Sequence, residues 1–223
     1  MTEISVIAAL DDPARLRLYD YICGQDHEVS RDEAAAATGI QRGMAALHLD
    51  KLAAAGLLSV SFRRPAGRSG PGAGRPAKLY YRSDAEHQVS VPPRNYRAAA
   101  EILAEVAEVT GAEPAVQRVA RRRGSQAGRA ARAANPGASA ADLVAISLAA
   151  QGYEPYLDGP VTRLRNCPFH VLADQHPPVV CGMNLALVEG LLEAAAASGL
   201  TARLDPQPGD CCVVVGQSKN SDS

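Results

Sequence analysis

Apolar residues return at helical intervals through the first fifty positions. In "DDPARLRLYDYICGQ", Leu16, Tyr19 and Cys23 share one face, Pro13 suits a first helical turn and Gly24 stands just past the end, so the segment predicts a helix. "SRDEAAAATG" follows with Ser30 as N-cap, Glu33 completing a capping box and Gly39 as the stop. "QRGMAALHLDKLAAAG" predicts a third helix, with Met44, Leu47 or His48, Leu52 and Ala55 as its inner stripe and Gly56 as terminator. The pattern then becomes strand-like in "LLSVSFRR" and "AKLYYRS", joined by the glycine- and proline-rich "PAGRSGPGAGRP". Three short helices and a hairpin with a basic tip describe a winged helix-turn-helix, in which the third helix enters the major groove and the wing reaches the backbone.

Two prolines break the chain before "NYRAAAEILAEVAEVTG", where Tyr96, Ala99, Leu103, Val106 and Thr110 form a stripe suited to a dimerisation helix. "AVQRVARRRGSQAGRAARAANPG" predicts a helix that gives way at its glycines to an exposed connection. The last part reads as a helix at "SAADLVAISLAAQG", a hairpin turning at Asp158-Gly159, a helix at "CGMNLALVEGLLEAAAASG" and strands at "TARLDP" and "CCVVV". The expected fold class is α+β: a winged-helix DNA-binding domain over 1–91, a dimerisation helix and connection over 92–138, a small α+β cysteine-containing sensor domain over 139–215, and a disordered polar tail over 216–223.

Charge sharpens this division. The chain's formal net charge is −1, yet between Arg42 and Arg82 eight basic residues face Asp50 alone, and from Pro136 onward nine acidic residues face four basic ones. A basic segment inside a near-neutral chain points to a local polyanion-binding surface. No stretch has the roughly 20 apolar residues of a membrane span or the form of a signal peptide, so the expectation is a cytoplasmic protein with no membrane partner. There, clustered cysteines more often mean metal or redox chemistry than disulfides.

The cysteines crowd late in the chain, at Cys167, Cys181, Cys211 and Cys212. They can be read as small core residues, as a zinc site of Cys167, His170, His176 and Cys181 without compact zinc spacing, or as an iron–sulfur site. Spacing alone does not decide. If Cys211 and Cys212 open a strand, alternation sends only one of them to a common site. A thiol or zinc enzyme using Cys167 with His170 is a further reading, but no acid partner or oxyanion motif accompanies the pair, so the chain is not read as an enzyme.

"LDDPARLRLYDYI", "AALHLDKLAAAGLL" and "GRPAKLYYRS" resemble the winged-helix repressors of the ArsR-like superfamily, particularly the Suf-operon repressor branch, over the first eighty or so residues. The resemblance implies a homodimeric transcriptional repressor bound to double-stranded operator DNA. Gln41, Arg42, His48 and Lys51 would lie on the recognition helix, and Arg63, Arg64, Arg68 and Arg75 in the wing. The C-terminal part of that branch carries cysteines that bind an iron–sulfur cluster, and "NCPF", "VCGMNLALVEGLL" and "GDCCVVV" sit where they are expected. Thirteen residues separate Cys167 from Cys181 and twenty-nine separate Cys181 from Cys211, unlike members with four regularly spaced cysteines. The expectation is therefore a 4Fe–4S cluster on three cysteine thiolates and one non-cysteine ligand, with His170 and His176 among the candidates. The alternatives are zinc, or a regulator responding to a small molecule with structural cysteines.

Overall fold

The computed structural model describes residues 2–63, 76–197 and 199–217. The chain is mixed α+β and divides into two compact units, Met1–Arg94 and Asn95–Ser223.

In the first unit, side chains cap the helices the pattern predicts. Asp12 Oδ1 accepts from the amides of Ala14 (2.8 Å) and Arg15 (3.2 Å) to start α2 (Pro13–Cys23), after a short α1 (Glu3–Ala8) that the sequence pattern did not signal. The Ser30–Glu33 capping box opens α3 (Arg31–Thr38), and Gly39 ends it in the left-handed conformation, at φ +68°. After α4 (Arg42–Ala54) come β2 (Leu58–Arg63) and β3 (Ala77–Arg82), paired antiparallel with Val60 opposite Tyr80. The two-residue β1 (Val29–Ser30) pairs with β3 on its other side, giving the order β1-β3-β2. Leu18, Ile22, Val29, Ala45, Leu49, Leu52 and Tyr80 fill the core.

Both long helices of this unit bury part of the expected stripes, Cys23 in α2 and His48, Leu52 and the adjoining Ala55 at α4, and differ in the rest. Leu18 and Ile22 are buried in α2 while Leu16 is exposed, and Ala45, His48, Leu49 and Leu52 are buried in α4 while Met44 and Leu47 face solvent. Alanine is the reason. Its small side chain lets a neighbouring helix approach closely, so Ala34 and Ala45 take contact positions where larger residues would have to stand off.

The second unit begins with α5 (Tyr96–Thr110), which turns Ala104 and Ala107 inward and leaves Tyr96, Ile102, Leu103, Val106 and Val109 exposed. The segment expected to fray into a connection is instead one helix, α6 (Glu113–Ala134), packed along α9 (Pro177–Ala194). Its glycines serve contact rather than flexibility. A Cβ on Gly124 would lie 1.9 Å from the Leu187 carbonyl oxygen, and one on the facing Gly190 2.0 Å from that of Arg121. Close backbone approach therefore offsets the helix-propensity cost of glycine.

The Ser139–Asp142 capping box starts α7 (Ala140–Ala150). Next come β4 (Pro155–Asp158), β5 (Val161–Leu164), an unpredicted short α8 (His170–Gln175), α9, β6 (Leu200–Leu204) and β7 (Val213–Gln217). The sheet is antiparallel in the order β4-β5-β7-β6. The tail expected from 216 is corrected at its start: Gly216 pairs with Thr201 and Val161, and Gln217 with Leu200, which extends β7 to Gln217. Among the described residues no helix is long and apolar enough to cross a membrane.

Candidate functional site

Three segments of the second unit converge through backbone bonds. The amide of Cys211 donates to the Leu164 carbonyl at the end of β5 (2.8 Å), so the turn entering β7 lies beside the loop that carries Cys167. The Asp205 amide donates to the Cys212 carbonyl (2.8 Å), tying the same turn to the end of β6. Asn166 Nδ2 donates to the Gly152 carbonyl (2.7 Å) and holds the Cys167 loop against the end of α7. Cys181 reaches the site from the second turn of α9, a helix that starts earlier than expected, at Pro177.

The four thiols form a chain of neighbours in which Cys211 interacts with Cys167 and Cys212, and Cys212 with Cys181. This corrects the alternation argument. Cys211 and Cys212 precede β7 and sit in a bend, where successive side chains need not point to opposite faces. Cys211 is 1% exposed, and the other three are half-buried.

Donors converge on Cys211. Hydrogen bonds from the Cys167 and Cys212 thiols outweigh burial and, with the Val213 amide and the Asn184 side chain, pull its thiol below its ordinary range. The same bond to Cys211 pushes the Cys167 thiol up, with burial adding to the effect; Cys212 is raised by Cys211, by burial and by Cys181. Cys211 is thus the thiol whose hydrogen-bond donors most favour a charged sulfur.

Asn184 and Tyr153 complete the site. Asn184 is fully buried, and its Nδ2 donates to Cys211 Sγ at 3.1 Å and lies 4.0 Å from Cys167 Sγ. The Tyr153 hydroxyl donates to Asn184 Oδ1, which fixes the amide with its nitrogen toward sulfur. Burial, followed by the charges of Cys211, Cys167 and Cys212, raises the Tyr153 phenol above its ordinary range and keeps it a donor. Sequence reading missed both residues. The available signal was a lone Asn inside the apolar run "VVCGMNLALV" of a buried helix, where an amide needs partners.

The histidines lie elsewhere. His176 Nδ1 pairs with Glu108 Oε2 of α5 at 2.8 Å, and His170, largely exposed, sits 3.6 Å from Asp174. The zinc set of Cys167, His170, His176 and Cys181 is therefore not assembled. Among the described residues no three or more His, Cys, Asp or Glu side chains are grouped to hold a metal ion.

No protein family, curated protein or solved structure matches the chain.

In the first unit, α4 exposes Gln41, Arg42 and Lys51 on its solvent face. Arg42 forms a two-point ion pair with Asp32 of α3, at 3.1 Å through Nη2 and more closely through Nε. His48 is corrected: it is 7% exposed and belongs to the core side of α4, so it offers no surface contact in this conformation. Arg63, at the end of β2, pairs with Glu28. Arg64, Arg68 and Arg75 lie outside the described residues.

Proposed function

We propose that this chain is a homodimeric winged-helix transcriptional repressor that binds duplex operator DNA and holds an iron–sulfur cluster in its second unit. The observation that carries the reading is the meeting of Cys167, Cys181, Cys211 and Cys212 from three separate segments. Their chemistry fits the group: thiolates are the preferred donors of iron–sulfur cores, and a cluster broader than one ion suits donors that come from separate segments. Cys212 then becomes the fourth donor in place of the expected non-cysteine ligand, since neither histidine is directed to the thiols. When bound, such a cluster supplies a redox- and oxidant-sensitive centre.

The chain's own residues have distinct parts in this reading. Cys211 is the thiol to which the most hydrogen bonds converge, and Asn184, oriented by Tyr153, donates to its sulfur and favours charge there. Held by the thiols of the β5–α8 loop, the start of α9 and the β6–β7 turn, a cluster would link these three segments, and its loss would loosen them and shift the population that binds DNA. Helices α2, α3 and α4 and the antiparallel hairpin of the first unit support the winged-helix reading, with Gln41 at the start of α4 and Arg42 and Lys51 within it toward the major groove. The uncovered apolar face of α5, where Leu103 is 69% and Val109 81% exposed, supports a dimer interface.

Protein purified without oxygen should absorb in the visible region and contain iron and sulfide. Changing Cys167, Cys181, Cys211 or Cys212 singly to Ser should remove most of the iron, whereas Cys23→Ser, in the core of the first unit, should retain it. Colourless wild-type protein without iron or sulfide would refute the cluster and leave a regulator responding to a small molecule.

A further inference from the structure

Helix α6 carries an arginine surface that the cluster and α4 do not use. Arg118, Arg122, Arg129 and Arg132 are all exposed. At about 100° per residue they fall within roughly 80° of the helix circumference, along about 21 Å of its length. None of the four has an ion-pair or hydrogen-bond partner among the described residues; the acidic side chains of α9 nearest this helix, Glu189 and Glu193, are both engaged by Arg121.

Such a row is unfavourable for the isolated helix. Arg118 and Arg122 are i,i+4 like charges, Arg129 and Arg132 are i,i+3 like charges, and the first turn offers only Glu113 in compensation. The helix cannot roll to disperse them. Gly124 and Gly128 seat it against α9 at contacts too close for a Cβ, and the arginine row stands roughly 100° around the helix from that seam. A rigid, uncompensated line of guanidinium groups matches a linear array of phosphates, to which arginine can donate two bonds at once.

We propose that α6 is a second nucleic-acid surface, with Arg118, Arg122, Arg129 and Arg132 binding the phosphate backbone of duplex DNA. The choice of duplex as partner rests on the DNA-binding reading above; the surface itself is independent of α4. Phosphate contacts of this kind add affinity without sequence preference.

The test uses the full-length chain, random-sequence duplex DNA about three helical turns long, and fluorescence anisotropy over a range of salt concentrations. With all four arginines changed to Gln, affinity at low salt should fall about tenfold or more, and the slope of log affinity against log salt should become shallower by about 3–4, near 0.9 per lost contact. Arg121→Gln, which removes an arginine already paired to glutamate, should leave the slope unchanged. Circular dichroism checks that each variant is folded. Wild-type binding with an unaltered slope in the quadruple variant overturns the α6 surface and leaves α4 as the DNA contact. Wild-type protein that fails to bind any duplex overturns both, and arginine-dependent binding to phosphatidylglycerol vesicles without duplex binding overturns this one in favour of a lipid surface.

Discussion

Replacing Gly124 by Ala tests whether the glycines of α6 exist for contact. In an open helix the change is favourable by about 0.8–1 kcal/mol, because alanine loses less backbone entropy. Here the new methyl would sit 1.9 Å from the Leu187 carbonyl oxygen and 2.8 Å from its carbon, against an ordinary contact of at least 3.4 Å. The helices must therefore separate by more than an ångström along a seam that includes buried Val188 and Leu191. Overpacking of this kind costs about 1–3 kcal/mol and more where the obstacle is backbone. With the lost packing of α6 on α9 added and the propensity gain subtracted, a net loss of roughly 2–4 kcal/mol is expected. For a unit of this size that lowers the midpoint by roughly 6–15 °C. Scanning calorimetry of the full chain should show the loss in the transition of the second unit alone. Gly43→Ala in α4, whose Cβ would meet nothing nearer than Gln41 Oε1 at 3.7 Å, should be neutral or stabilising. A Gly124→Ala protein whose second-unit transition is unchanged or raised would refute the close-approach argument.

Leu103→Asp should give a folded monomer by sedimentation with weakened DNA binding, since an unpaired carboxylate is costly in an apolar interface; a dimeric variant would place the interface away from α5. Asn184→Leu should destabilise the second unit by about 1–3 kcal/mol in urea titrations, because it strands the buried Tyr153 hydroxyl, and adding Tyr153→Phe should recover part of that loss; a double variant no better than the single one would deny the pairing. Stability should also decline in acid. Asp32 is held below 3.8 by hydrogen bonding to Arg42, and Asp205 by hydrogen bonding to Arg203 and by Arg163. Their folded values lie below their unfolded ones, so this stabilisation is fully present above about pH 4 and is lost as pH falls below it. Asp32→Asn combined with Asp205→Asn should flatten that decline, and an unchanged acid profile would show that these pairs contribute nothing.

Where structure depends on neighbours along the chain, the sequence alone determined it. Asp12, the Ser30–Glu33 pair and the Ser139–Asp142 pair satisfy helix-end amides within one turn, so they mark α2, α3 and α7 wherever those helices pack. Gly39 and Gly159, at φ +68° and +57°, end a helix and turn a hairpin for equally local reasons. The nearness of four cysteines was legible as a candidate, but their roles were not. That Cys211 and Cys212 both adjoin the other thiols depends on a bend held by bonds to β5 and β6, and the lowering of the Cys211 thiol depends on Cys167, Cys212 and an amide twenty-seven positions away. Likewise, the glycines of α6 read as flexible until α9 lies against them, and part of the stripes expected in α2 and α4 shifted because small residues take their side from whatever packs on them. Capping and turn energies are local, whereas burial, close approach and sulfur ionisation are properties of surroundings that only the folded chain assembles.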